Sequence, residues 1–483
     1  MHETTIPWLM FLIYCVAISG LTWWNRRKAT SMEAFAVGSR RVPPFFIGLS
    51  LAANMTSVAT FVINPGLVHA FGWAGVVGYG FAAPAGIFIG LIVVSKQFRR
   101  VGDRFTVLTV PSWIGSRYGD RRLTLLFSVI SLLQVTFLVL IVVALVRVLT
   151  RVLEIGMWPA LVLVIGFTFG YMLLGGAAVH VWSNSVQALV MMAVAVLLVV
   201  SGIHLFVGDG MGFFDRLAAV GPHYGSMVNP DSALFRDFFE VIVANFLIGI
   251  AIIMQPHIVS KALYLRTERD VNAYLATAMV AGTIFTSVLI VGLYSRLELG
   301  GAIAPDAVVA DYIATVFSPG VRALVMLGVL AAGFSTLEGV ILALSSIFAN
   351  DLWATSARIR GLSDDVIQRR VLKVGRWFLV GLAPVTLILA WWQLTSPTLS
   401  VAIFAQNGIY GLFAATFAPV LFGIFSDRAG PRLALAAAIT ALVVHFGLYY
   451  SKLWYYPNPA VPAACALVVS TLIMAVGVVA HRR

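Results

Sequence analysis

The chain has 483 residues, of which 60% are hydrophobic and only 11% charged, and it carries a formal net charge of +12. Water-soluble domains are nearer half apolar and a quarter charged, so this composition excludes an ordinary soluble fold. Nor does the positive charge indicate nucleic acid, because the basic residues sit in short loops between apolar runs and form no contiguous basic face.

Thirteen apolar runs follow one another, at roughly residues 7–24, 44–69, 73–96, 120–150, 156–177, 181–206, 236–260, 270–296, 320–350, 372–395, 399–425, 431–450 and 458–480. Runs of 18 or more apolar residues cross about 30 Å of hydrocarbon as helix. The pattern predicts an all-α polytopic membrane protein of about 13 transmembrane helices. No basic stretch precedes the first run, so it reads as a true span rather than a cleaved signal. Cys15 and Cys465 both fall inside spans, and no disulfide framework is expected.

Charge gives the direction. The loops after spans 1, 3, 7, 9 and 11, with their flanks and the C-terminal tail, hold 25 of the 32 Lys and Arg residues, among them Arg26, Arg27, Lys28, Arg99, Arg100, Arg369 and Arg370. By the positive-inside rule the N-terminus is expected outside and the C-terminus, His481-Arg482-Arg483, in the cytoplasm, as for a multi-pass protein of the cell (inner) membrane. The segments 207–235 and 297–319 are the longest outer loops, each expected to carry a short surface helix.

Polar residues inside spans carry the functional information, because the bilayer makes them costly. The second run contains Ser50, Asn54, Thr56, Ser57, Thr60 and Asn64, and Pro65-Gly66 interrupts it late. Two readings stand: a helix broken at mid-membrane, whose freed carbonyls coordinate a cation, or a kink near the outer surface. In the ninth run Ala332, Ser335 and Thr336 are related by i, i+3 and i+4, so one face presents a carbonyl and two hydroxyls. Such neutral oxygens suit reversible binding of a hard cation. Glu338 lies one turn from Ser335, deep in an apolar helix, and is expected to bind a cation, carry a proton or pair with a base.

Other positions are weaker. The sixth run opens on Trp182-Ser183-Asn184-Ser185-Val186-Gln187. The seventh ends Gln255-Pro256-His257-Ile258, with Lys261 and Arg266 following; a lone histidine there reads as structural rather than as a ligand. Gln134, an isolated amide in the fourth run, either faces a cavity or bonds a neighbouring helix.

These segments together resemble the sodium/solute symporter family over roughly residues 30–430. The resemblance is carried by Gly38-Ser39-Arg40, Pro65-Gly66, Gly175-Gly176 with Trp182 to Gln187, Gln255-Pro256-His257-Ile258, Leu330 to Thr336 with Asp351-Leu352, and Gly411 through Pro419. It implies a 5+5 inverted-repeat transporter core, with residues 1–43 an N-terminal extra helix and loop, 44–206 the first repeat, 207–235 an extracellular loop, 236–425 the second repeat and 426–483 two extra helices. It implies a sodium site made by the carbonyls of Ala53, Thr56 and Ala332 and the hydroxyls of Ser335 and Thr336, with a register one residue earlier, Ala52 and Met55, as the variant. Many members have an aspartate where this chain has Asn184, and in some it serves a second sodium site with two hydroxyls that here become Glu338 and Gly339. Asn184 and Glu338 therefore either keep a cation role together, or the second site is absent and one sodium moves per substrate.

The implied function is sodium-coupled symport of a small organic solute, a carboxylate or amino acid, by alternating access. The motif around Gln255 is nearer to proline- and monocarboxylate-type members. Candidate substrate contacts are Thr60, Tyr79, Gln134 and Gln255; no buried arginine is evident to clamp a carboxylate, and Arg147, near an outer helix end, is the one candidate. A proton symporter or uniporter using Glu338 is the alternative, and a membrane sensor the third reading; no catalytic constellation points to an enzyme. The expected partners are substrate, Na+ and the lipid bilayer, with a monomer sufficient.

Overall fold

The computed structural model describes residues 5–25, 36, 42–105, 107–174, 177–207, 211–301, 303–396, 400–452 and 455–480. Arg26, Arg27, Lys28, Gly38 to Arg40, Gly175, Gly176 and the tail His481 to Arg483 lie outside the described residues. The described part is helical: α1 (Thr5–Asn25), α2 (Pro44–Met55), α3 (Ala59–Phe71), α4 (Trp73–Phe105), α5 (Val110–Tyr118), α6 (Arg121–Val152), α7 (Met157–Leu174), α8 (Ala177–Ser201), α9 (Phe213–Val220), α10 (Phe239–Ile252), α11 (Pro256–Tyr264), α12 (Asp270–Leu299), α13 (Val308–Val316), α14 (Pro319–Ile359), α15 (Asp364–Thr395), α16 (Val401–Phe425), α17 (Pro431–Ser451) and α18 (Ala460–Ala480). Among the described residues eleven helices are long and apolar enough to cross a membrane, and two bent pairs raise the number to 13. The short helices α9 and α13 lie on the two long loops, as expected.

The bent pairs occupy corresponding places in the two halves of the chain. α2 and α3 meet at 54°, and α10 and α11 at 57°. The first break falls at residues 56–58, ahead of Pro65-Gly66, where the sequence puts the interruption. The reason is local. A π turn over Ala59–Ile63 shifts the hydrogen-bond register just before Pro65, so its missing N–H is tolerated inside α3. Gly66 serves packing, since a Cβ there would overlap the Pro305 carbonyl. In the second pair, Gln255 at the break is extended (ψ 126°) and Pro256 starts α11.

Loop contacts separate two faces. On one, the Arg100 guanidinium donates to Glu268 at 2.8 and 2.9 Å, Arg99 donates to the Leu265 carbonyl at 3.1 Å, and Arg117 pairs with Asp427 at 2.9 Å. These join the loops after spans 3, 7 and 11. On the opposite face Arg147 pairs with Asp306 (3.1 Å), Arg151 with Asp311 (2.9 Å) and His204 with Glu298 (2.8 Å). The alternation required by 13 spans is therefore met in space. Arg147 is held by Asp306 and is not among the residues that line the cavity at the helix breaks.

Among the eleven unbroken spans of the described residues α14 is the most enclosed, with 89% of its most apolar window buried. It packs against α1, α6 and α8, while α2 lies between α8 and α12. α10 presses on α4 closely enough that Gly86 and Gly249 touch the facing backbone, and a side chain at either would strike a carbonyl. α17 and α18 pack on each other and on α16.

Candidate functional site

A cavity of about 160 Å³ opens at the two helix breaks. Asn54 to Ser57 form one wall and Ile252 and Gln255 another, and Tyr79, Phe88, Phe137, Tyr410 and Phe413 close it with aromatic surface. Among the described residues no Asp, Glu, Lys, Arg or His lines it. Thr60, Tyr79 and Gln255 all face this space, whereas Gln134 does not: its amide lies 2.5 Å from His257 Nδ1. Asn64, already marked as a polar residue of the second run, lines it too, and Asn245 and Gln406 are lining residues that the sequence did not single out; Gln406 donates to the Tyr79 hydroxyl at 3.1 Å.

Beside the cavity the break in α2 meets α14. The Ser335 hydroxyl lies 3.1 Å from the Ala53 carbonyl and 3.0 Å from the Ala332 carbonyl. The Thr336 hydroxyl lies 3.3 Å from the carbonyls of Ala53, Asn54 and Ala332. All four residues Ala53, Ala332, Ser335 and Thr336 are fully buried. The result is a compact group of neutral oxygens, two of them on freely turning hydroxyls. Such a set suits a hard monovalent cation: a bound ion would replace the hydroxyl protons as the carbonyls' partner. The Ala53 carbonyl joins the group because α2 ends at Met55 and its last carbonyls have no helical donor. Asn54 supplies a third carbonyl, and Thr56, buried at the break, adds no contact of this kind among the described ones.

On the far side of Asn54 lies a buried network centred on Glu338. Its carboxylate accepts from the hydroxyls of Tyr171 (2.6 Å) and Ser183 (2.9 Å) and from the Gln187 amide (3.5 Å). Gln187 also donates to Tyr14 at 2.6 Å. His180 Nδ1 lies 3.2 Å from the carboxylate, and its Nε2 faces Lys261 Nζ at 3.3 Å and Asn54 Nδ2 at 3.2 Å. The lysine further donates to the Ser50 hydroxyl. Asn184 has two settings. In one its amide nitrogen donates to Asn54 Oδ1 at 2.5 Å and to the Ser335 carbonyl at 3.3 Å; swapped, it donates to Glu338 at 3.3 Å and Gln187 at 3.1 Å. The structure thus brings Asn184 and Glu338 together and adds Tyr171, His180 and Lys261. Their one sequence signal is that each is a polar group within or beside an apolar run.

Comparison with known proteins agrees with these features. Residues 35–441 match the model of the sodium:solute symporter family. The sodium/pantothenate symporter of Escherichia coli (strain K12) is 25% identical over 488 residues, covering 98% of this chain and 96% of that protein. The high-affinity proline transporter PutP of Bacillus subtilis (strain 168) is 24% identical over 436 residues, covering 86% of each. The solved structure of a Na+-coupled sialic acid symporter in a substrate-bound outward-open state superposes with a TM-score of 0.81 at 17% identity, over 98% of this chain and 97% of that one. That likeness is one of fold.

Proposed function

The chain belongs to the sodium:solute symporter family, which makes it a sodium-coupled transporter rather than an enzyme, and we propose that its cargo is a small monocarboxylate or amino acid taken up by alternating access. The observation that carries the reading is the group of buried oxygens from Ala53, Ala332, Ser335 and Thr336, shared between a broken and a straight span at the edge of the cavity. A sodium ion held there ties the two helices together. Its charge also supplies what the cavity lining lacks, a cation next to a substrate carboxylate. The seventeen-per-cent structural relative lends only its fold; the pantothenate and proline relatives support the choice of substrate class.

The basic face, with Arg99, Arg100 and Arg117, is assigned to the cytoplasm. Entry from outside is then favoured by the membrane potential, about 2.3 kcal/mol per charge per 100 mV. Substrate contacts are assigned to Thr60, Tyr79 and Gln255, a monomer suffices, and residues 44–206 and 236–425 are the two repeats.

The test is uptake of radiolabelled proline and pantothenate into proteoliposomes. Accumulation of either under an inward sodium gradient, and none in choline, is expected. Equal uptake in choline, or uptake driven by a pH gradient alone, overturns sodium coupling and favours a proton-coupled transporter acting through Glu338.

A further inference from the structure

Among the described residues Lys261 is the only buried lysine, with 1% of its surface exposed, and Glu338 is equally buried. A carboxylate taken out of water alone costs several kcal/mol, so it needs a compensating charge. His180 stands between the two, 3.2 Å from Glu338 through Nδ1 and 3.3 Å from Lys261 through Nε2. An ammonium has only protons to offer. Nε2 must therefore accept, the ring proton sits on Nδ1, and that proton points at the carboxylate. The neutral imidazole joins an anion to a cation without carrying charge itself.

The other groups facing this relay leave it balanced. Ser183, Gln187 and Tyr171 donate to the carboxylate, Tyr14 is reached through Gln187, and the Ser50 hydroxyl accepts from the lysine. His257 is turned to Gln134. Gly339 has no side chain, and the Asn54 amide fills the place where one would stand, 2.7 Å from a Cβ built there.

We propose that Lys261 is a tethered cation that takes, for Glu338, the place of a second transported ion, so that one sodium moves per substrate. The sequence leaves open whether Asn184 and Glu338 hold a cation of their own. Here the cation is part of the protein: it arrives with α11, the inner half of the second broken span, and stays there. The inference rests on the sodium coupling proposed above and concerns only the number of ions.

Equilibrium binding of radiolabelled sodium to the purified, detergent-solubilised chain tests it without knowledge of the organic substrate. The wild type is expected to bind one sodium per chain. Lys261→Met leaves Glu338 uncompensated and is expected to bind two, while Lys261→Arg keeps one. The double variant Lys261→Met with Glu338→Gln removes both charges and is expected to return to one. It also guards against a folding artefact: if Lys261→Met alone does not fold, recovery of a folded, one-sodium protein in the double variant is the expected result. Two sodium ions on the wild type, an unchanged single ion on folded Lys261→Met, or no recovery in the double variant overturns the proposal while leaving sodium coupling intact. A wild type that binds no sodium overturns the coupling itself.

Discussion

The Asn54 carbonyl accepts the Thr336 hydroxyl at 3.3 Å, and the side chain of the same residue reaches His180 at 3.2 Å. Through this one residue, the last turn of α2 touches both the oxygen group beside the cavity and the buried charges behind it. Movement of α2 against α14 would therefore disturb both at once, which is the mechanical basis for coupling an ion to a change of access.

Removing a hydroxyl from the oxygen group is expected to weaken sodium binding more than transport capacity. A hydrogen-bond-type contact to a charged group contributes about 1.5–3 kcal/mol, which is about ten- to a hundredfold in affinity. Ser335→Ala and Thr336→Ala are each expected to raise the sodium concentration for half-maximal uptake by that factor, with the rate at saturating sodium largely kept. Ser335→Thr retains the oxygen and is expected to stay close to wild type. A sodium response unchanged in both alanine variants would remove these residues from the site.

Close packing of the second broken span predicts an asymmetry between two glycines. A Cβ at Gly249 would lie 3.1 Å from the Ala83 Cα and overlap its carbonyl, backbone against backbone. Overpacking of this kind costs about 1–3 kcal/mol. Gly249→Ala is expected to lower the melting temperature and the yield of folded protein. Gly447 has open space around it, so Gly447→Ala is expected to be neutral or mildly stabilising, from reduced freedom of the unfolded chain. Thermal denaturation of the purified variants separates the two.

The spans and their alternation between two faces were legible in the sequence because the bilayer imposes them. Apolar length gives the crossings, and Lys and Arg spacing gives the alternation that Arg100–Glu268 and Arg147–Asp306 realise on opposite faces. The grouping of Ser335 and Thr336 with Ala332 was legible from helical spacing alone. The position of the break was not, because Pro65-Gly66 is the stronger local signal while the π turn that displaces the break has no residue signature. Gln134 shows a second limit. Its amide is visible as an anomaly, but one sequence does not give the direction in which a helix faces, and it turned to His257 rather than to the cavity. The partners of Glu338 come from helices far apart in the chain, so no local pattern announces them.

At the basic face Glu268 holds the turn between α11 and α12 to the end of α4 through Arg100 and Lys96. The Arg100 hydrogen bonds, above all, pull its carboxyl down from the usual 4.5 to about 2. A depressed carboxyl stabilises the folded state only while ionised there, so its contribution is complete above about pH 4.5, shrinks below that and is gone once the pH has fallen through about 2. Glu268→Gln is thus expected to lower the melting temperature by the same small amount at every pH from 5 to 8. The pair is exposed, so the difference is expected to fade as salt rises. A difference that grows with salt would point to another role for this residue.

Gln255 gives the sharpest prediction about substrate. Its side-chain oxygen is buried and has no hydrogen-bond partner among the described residues, and the residue lines the cavity. An unpaired buried acceptor costs about 1–3 kcal/mol, and a substrate that brings an N–H or O–H to it recovers that cost on binding. Among the described residues the lining holds no acid that would attract such a donor in its place. Gln255→Leu keeps the bulk and removes the acceptor. The empty protein is then expected to be slightly more stable than wild type, while the KM for a transported solute carrying the donor rises about tenfold or more, since 1.4 kcal/mol is a factor of ten. For a paired analogue with the N–H or O–H methylated, the same variant is expected to lose little. The measurement is competition against sodium-driven uptake by the two analogues, in wild type and variant. Equal losses for both would show that Gln255 shapes the cavity without reading the donor, and recognition would then rest on Tyr79 and the helix break at Thr56.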